Sequence, residues 1–314
     1  VDRGEDELTS TVTEEPAKPP GDAPVGAATR RRQLPDGVKG NLLLLPTTMW
    51  LTILLVIPLL IVVSYSLGHR GVIDQIRFDW GDLNFENYKD ALDPDFLPIF
   101  LRSITYAGIT TIACILLGFP LAYWIARFSG RHRNVFLALV IIPFLTSYLI
   151  RVYAWQAILQ RNGLLNSVLG LVGLGDDHQF LNTHFAVLLG LTYGFLPFMV
   201  LPLYASIERM DKSLVEASYD LGHGKASTLF RVIIPAVAPG LVAGTLLVFI
   251  PSVGDFVTPE LLGGVNTQMF GNTIADQFGG GQNWPLGSAM AVLLMVFILI
   301  GVFLYLRRVG EDAL

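Results

Sequence analysis

The sequence predicts an all-α integral membrane protein with six transmembrane helices and both termini on the cytoplasmic side. Three observations lead there. Hydrophobic residues make up 52% of the 314-residue chain and charged residues only 15%, a charged share well below that of a soluble domain, and mean hydropathy is +0.55. The apolar residues come in blocks long enough to cross a bilayer, which takes roughly 20 residues of helix. The basic residues gather on alternate connections between those blocks, and that bias sets orientation.

Residues 1–40 are rich in Glu, Thr, Pro, Ala and Gly and almost devoid of large apolar side chains. Such a segment buries too little surface to offset its ordering entropy, so a disordered cytoplasmic tail is expected. Its acidic opening, with no early apolar core, does not read as a cleavable signal peptide. The remainder, 41–310, carries six apolar segments: Leu42 to Leu67, Leu101 to Ala126, Val135 to Leu159, His184 to Ile207, Val232 to Phe256 and Leu286 to Leu306. The third and fifth have Pro and polar residues near one end, tolerable where neighbouring helices or water satisfy the freed backbone. Residues 311–314 form a short tail.

Orientation follows from the bases. One side receives Arg30, Arg31, Arg32 and Lys39, then Arg127, Arg131 and Arg133, then Arg209, Lys212, Lys225 and Arg231, then Arg307 and Arg308. The other side has Arg70, Arg77 and Lys89 among seven acids (Asp74, Asp79, Asp82, Glu86, Asp90, Asp93, Asp95), Arg161 beside Asp176 and Asp177, and no base between Phe256 and Pro285. The basic side is assigned to the cytoplasm. In the long external connection of about 68–100, the spacing of Phe85, Tyr88 and Leu92 predicts a short amphipathic helix on the outer surface.

Several function classes are disfavoured. The single cysteine, Cys114, lies in an apolar run, which rules out an intrachain disulfide and a thiolate cluster. The five histidines, 69, 132, 178, 184 and 223, form no H-x-x-x-H or H-E-x-x-H pair, and there is no G-x-S-x-G. A membrane enzyme is therefore not expected. The chain also lacks the G-x-x-x-x-G-K-[ST] phosphate loop. A stand-alone secondary carrier remains open, although the halves show no convincing repeat.

One polar stretch interrupts the apolar pattern: "EASYDLGHGKASTLFRVIIP", residues 216–235. Ser213 and Glu216 have capping-box spacing, and Gly222 suits a helix C-terminus. A helix of about two turns from Leu214 to Leu221 is predicted, too short to stand alone in water. Its stripe is Leu214, Ala217, Ser218 and Leu221, small at the centre, where another backbone can approach. A second helical segment starts near Ala226 and leads into the fifth span. Either the short helix is a connector packed on its own bundle, or it presents its small face to a partner.

This stretch resembles the EAA loop of ABC importer permeases, with Glu216, Ala217, Gly222 and Pro235 matching and Ser218, Val232 and Ile234 as conservative departures. The resemblance implies a type I importer permease fold in which the 211–235 loop couples to an ATPase subunit, through Leu214, Glu216, Ala217, Ser218, Asp220, Leu221 and Gly222. It implies a homologous second permease subunit, two ATPase subunits that carry ATP and Mg, and an external solute-binding protein. No cofactor is expected on this chain, no nucleic-acid partner, and a location in the bacterial plasma membrane. "IPFLTSYLIRVYAWQAILQRNGLLN", "PSVGDFVTPELLGG" and "GNTIADQFGGGQNWPLGSAMA" are similar to stretches of spermidine/putrescine permeases. Relatives that move ferric iron, thiosulfate or other small solutes share part of the second pattern, so the substrate stays open.

A polyamine path needs carboxylates for ammonium groups and aromatic faces for cation–π and apolar contact. Candidates are Asp255 with Glu260, then Asp276 and Trp284, and Tyr148, Tyr153 and Trp155 near the outer end of the third span. Asp255 equally suits the cap of a broken helix beside Pro251 and Gly254. Each aromatic equally suits an interface anchor. Arg151 places positive charge near the same end and runs against a simple cation funnel.

Overall fold

The computed structural model describes residues 36–70, 76–77, 83–173 and 178–312. The expectations for the tail before residue 36, for Asp74, Asp79 and Asp82, for Asp176 and Asp177, and for residues 313–314 lie outside the described residues. The chain divides into compact units at 1–55 and 56–314. In the first, residues 36–55 form the N-terminal part of α1 (Asp36–Ser66), so 36–40, expected in the tail, are helical. Leu44, Trp50, Leu54 and Leu55 of this part are exposed, an apolar surface suited to lipid.

In the second unit α1 ends at Ser66. A two-residue antiparallel pair, β1 (His69–Arg70) and β2 (Ile76–Arg77), follows, and then α2 (Glu86–Ala91), the short helix expected outside the bundle. Its buried face differs from the expected one. Phe85 and Leu92 are exposed, and Asn87 and Ala91 are buried instead. The reason is the broken backbone after α1: the Asn87 amide donates to the Ser66 and Gly68 carbonyls at 3.0 and 2.9 Å, satisfying acceptors left free where the helix stops. The Ser66 and Tyr88 hydroxyls share a hydrogen bond of 2.6 Å.

The centre of the unit is three helices: α3 (Leu97–Phe128), α7 (His184–Arg209) and α11 (Ala238–Gly254), packed on one another. Cys114, Ala122, Ile125, Leu191, Met199, Leu203 and Val248 are buried between them. Between α3 and α7 lie α4 (Arg133–Ile141), α5 (Tyr148–Leu159) and α6 (Leu164–Leu171). Between α7 and α11 lie α8 (Ser213–Asp220), α9 (Lys225–Thr228) and α10 (Ile234–Ala236). After α11 come α12 (Val257–Leu262), α13 (Phe270–Phe278) and α14 (Trp284–Asp312).

Among the described residues, four helices are long and apolar enough to cross a membrane: Pro46–Ser66, Leu97–Phe128, His184–Arg209 and Trp284–Arg308. The expected third and fifth spans are bent pairs, and counting each pair as one span makes six. In the third, Gly130–Leu145 and Tyr148–Leu171 meet at 90°. Thr146 and Ser147 are extended there, after a 3₁₀ turn containing Pro143. In the fifth, Lys225–Ala236 and Ala238–Gly254 meet at 74°. A π-helical turn over Leu229–Ile233 precedes that bend, and Pro235 and Pro239 flank it. Missing proline amides and π-turns are the usual causes of such kinks. The break in the third span is what sets the start of α5 beside the end of α11.

Candidate functional site

The stretch at 211–235 folds as a short helix, a glycine turn and a second helical segment. Gly222 sits at φ +82°, in the left-handed region, and the His223 amide returns to the Ser218 carbonyl at 3.1 Å, closing the helix C-terminus. The start of α8 departs from the expected capping box. The helix begins at Ser213 itself, and the Ser213 amide donates to Asp211 Oδ1 at 2.9 Å. With that amide taken, Glu216 does not close a box, and its side chain is exposed. Asp211 thus closes an Asx turn onto the first helical amide, a cap of the helix start that sequence reading missed although Asp is a recognisable turn residue there. The Ser213 amide and hydroxyl hold its carboxyl below the ordinary carboxylate value.

The faces of α8 also differ from expectation. Ser218 is 3% exposed. Its hydroxyl lies 2.9 Å from Thr228 Oγ1 and 3.4 Å from His223 Nδ1, so it ties α8 to α9 rather than lying on an open face. Val215 turns inward with it, onto the central cluster. The open face carries Leu214, Glu216, Ala217, Asp220 and Leu221, with Leu221 78% exposed. The segment is braced from α3: Arg127 donates to the Met210 carbonyl at 2.8 Å. Nearby, Arg133 and Glu208 pair at 2.6 Å.

A second site forms where the two bent pairs meet. A cavity of about 470 Å³ is lined by Phe144, Thr146, Tyr148, Arg151, Phe195, Pro251, Gly254, Asp255 and Phe256. Asp255 follows the last residue of α11, and its carboxylate has four donors. Oδ1 accepts the Val257 and Thr258 amides at 2.9 and 3.3 Å. Oδ2 accepts the hydroxyls of Tyr148 at 2.5 Å and Thr258 at 2.6 Å. Asp255 therefore caps α12 and lines the cavity at once. Tyr148 reaches it because α7 is bare where α5 and α12 press on it. A β-carbon at Gly194 would stand 3.2 Å from Tyr148 Cε2, and one at Gly190 2.7 Å from Thr258 Cγ2. These two glycines, one turn apart, were not legible as part of the site.

The other pathway candidates are elsewhere. Glu260 is exposed and accepts from Asn272 Nδ2 at 3.1 Å. Asp276 is exposed on α13. Trp284 packs against Phe278 and Tyr65, with ring centroids 5.7 and 6.1 Å apart. Tyr153 is 54% exposed, and Trp155 stacks edgewise on Tyr193 at 5.4 Å. Of the seven, only Asp255 and Tyr148 are brought together at the cavity. Arg151 joins them, buried, its guanidinium carbon 5.1 Å from the Phe144 ring centre and 5.4 Å from that of Tyr148. It makes no ion pair with Asp255, whose oxygens are already engaged.

A bundle of apolar helices with two broken spans beside an aromatic-lined cavity that holds one carboxylate and one arginine defines the class: a multi-pass membrane transport component. The solved structures agree in fold. A bacterial alginate ABC transporter in complex with alginate pentasaccharide-bound periplasmic protein has a chain that superposes with TM-score 0.65 at 18% identity, covering 88% of this chain and 97% of that one. A chain of the MetNI methionine ABC transporter in an inward-facing conformation gives TM-score 0.52 at 17% identity, covering 70% and 96%.

The chain belongs to the family of binding-protein-dependent transport system inner membrane components, which matches residues 114–308. Among curated relatives, the spermidine/putrescine transport system permease protein PotB of Haemophilus influenzae is 39% identical over 259 residues, covering 82% of this chain and 90% of that protein. PotB of Escherichia coli strain K12 is 38% identical over 259 residues, covering 82% and 93%. The inner membrane ABC transporter permease protein YdcU of the same strain is 33% identical over 249 residues, covering 74% and 78%.

Proposed function

We propose that this chain is the permease subunit of an ATP-driven importer that takes up spermidine, putrescine or a related polyamine by alternating access across the bacterial cytoplasmic membrane. In this reading a homologous second permease subunit, two ATPase subunits bearing ATP and Mg, and an external solute-binding protein complete the transporter. Both termini lie on the ATPase side, and the open face of α8, with Leu214, Ala217 and Leu221, docks on the ATPase. Identities of 37–39% to proteins named as spermidine/putrescine permeases, over 82–85% of this chain, support the substrate class.

The observation in the structure that carries the reading is the Asp255 carboxylate on an aromatic-lined cavity. Carboxylate and ring faces are the two surfaces that ammonium groups and methylene chains need. Asp255 is saturated as found, but one of its donors is adjustable. The Tyr148 hydroxyl lies 2.5 Å from Thr258 Oγ1 as well as 2.5 Å from Asp255. Turning its proton to Thr258 and drawing the phenol oxygen back from Oδ2 opens a lone pair of Asp255 to an ammonium group.

The test is uptake of labelled spermidine, putrescine and thiosulfate by proteoliposomes holding the full assembly. ATP-dependent accumulation of a polyamine is expected. Uptake of thiosulfate in its place would refute the substrate class. Polyamine flux through this chain alone, without ATP, would make it a secondary carrier.

A further inference from the structure

Arg151 is 8% exposed, and its Nε has no hydrogen-bond partner. Among the described residues no carboxylate pairs with it. Asp255 shares its cavity, but four other donors occupy that carboxylate. The faces of Phe144 and Tyr148 return only part of what burying a cation costs. A guanidinium held this way lacks the planar, two-oxygen partner its geometry matches. The surroundings add a second feature: Phe256, which lines the cavity, is 49% exposed, and Leu145 and Ile150, next in the chain to the lining residues Phe144 and Arg151, are 75% and 66% exposed. An exposed apolar surface beside an unmet buried charge is what one half of a protein interface looks like when the other half is missing.

We infer that Arg151 is completed by a carboxylate that the homologous second membrane subunit inserts into this cavity beside Asp255. The inference rests on the reading of the chain as one half of a permease pair carrying a polycation, because a polycationic solute cannot satisfy a guanidinium. A lipid phosphate is the rival. It is disfavoured because Arg151 is 8% exposed and sits against the faces of Phe144 and Tyr148, whereas a headgroup meets side chains at the surface. The inserted carboxylate also resolves the conflict within the cavity. Once Arg151 is neutralised, Asp255 is left as the uncompensated charge that a passing ammonium group meets.

The experiment is co-purification of this chain on an affinity-tagged second membrane subunit, in wild type and in Arg151→Lys, Arg151→Gln, Arg151→Met and Arg151→Glu. Thermal melting of each chain alone in the same detergent runs beside it. Breaking a buried pair strands the partner's charge, whereas deleting an unpaired buried charge relieves a cost. The expected result is recovery of the Gln and Met variants at least about tenfold lower, Lys less affected, and Glu worst. Each neutral variant alone should melt at or above the wild-type temperature.

Undiminished co-purification of Arg151→Gln overturns the inference. So does a lower melting temperature of that variant alone, which would mean that Arg151 is already satisfied within the chain. Recovery of wild type that falls to the Arg151→Gln level in bilayers free of anionic lipid assigns Arg151 to a phosphate and also overturns it. Polyamine uptake is scored separately, so a transporter that assembles as expected but carries no polyamine refutes the substrate reading alone.

Discussion

Replacing Asp255 separates its two roles, because Asn keeps the shape and one acceptor while Ala keeps neither. In Asp255→Asn the amide oxygen still accepts the Val257 and Thr258 amides at the start of α12. The amide nitrogen then faces the Tyr148 and Thr258 hydroxyls, which turn round to accept. What is lost is the charge assistance of four hydrogen bonds, up to about 1 kcal/mol each, while all four contacts are kept. Asp255→Ala orphans both amides of a tightly packed turn at roughly 1–3 kcal/mol apiece. The melting temperature of the purified assembly should therefore fall modestly for Asn and much further for Ala.

Uptake should divide differently. If the carboxylate meets the ammonium group, its loss removes a charged contact of about 1.5–3 kcal/mol. That is on the order of ten- to a hundredfold in polyamine affinity. Uptake by Asp255→Asn should then be strongly reduced in an assembly that still forms. Wild-type uptake by this variant would remove the carboxylate from the pathway. Equal melting of Asn and Ala variants would refute the capping geometry.

Gly190→Ala places a methyl 2.7 Å from Thr258 Cγ2, so α12 must shift, at a cost of about 1–3 kcal/mol. A lower melting temperature and reduced uptake are expected. Gly194→Ala, at 3.2 Å from a ring edge, should be milder because the gain in helix propensity offsets part of the strain. Leu221→Asp should weaken ATPase association by about tenfold or more, as loss of an interface anchor does, and leave the melting of the chain alone unchanged. Ser218→Ala should do the opposite, lowering stability by about 1 kcal/mol with little effect on association. A reversed pattern would mean the faces of α8 are misassigned.

The Asp211 carboxyl is held below its ordinary value by the Ser213 amide and hydroxyl. Its contribution to α8 is therefore complete above the unfolded value of about 3.9 and is lost as pH falls through the lowered folded one. Amide exchange of Ser213 should be insensitive to pH-driven uncapping near neutrality and lose protection only in acid. Asp211→Ala should expose that amide at every pH, and unchanged protection in this variant would exclude the cap.

Local properties were legible in the residues themselves. Hydropathy marks where the chain can sit in lipid, so the second span, expected at 101–126, appears as Leu97–Phe128, and the fourth, expected at 184–207, as His184–Arg209. The turn at Gly222 was legible because only a left-handed backbone continues from that helix end, and glycine adopts it freely. The presence of Pro and polar residues in the third and fifth segments was visible too, but not bends of 90° and 74°, whose angle depends on what each arm packs against.

The rest belongs to tertiary structure. Ser218 and Ala217 look equivalent on a helical stripe, yet Thr228 lies beside one and open space beside the other. Asp255, Glu260 and Asp276 look like equal carboxylates on one base-free segment. Only Asp255 meets Tyr148, 107 residues earlier in the chain, because Gly190 and Gly194 let two elements close onto α7. The sequence alone determined a six-segment membrane protein with a short polar helix closed by a glycine turn, since hydropathy and turn chemistry act over a few residues. Which side chains share a cavity, and that a buried arginine in it goes unanswered, depends on contacts between residues about a hundred positions apart, and packing alone decides those.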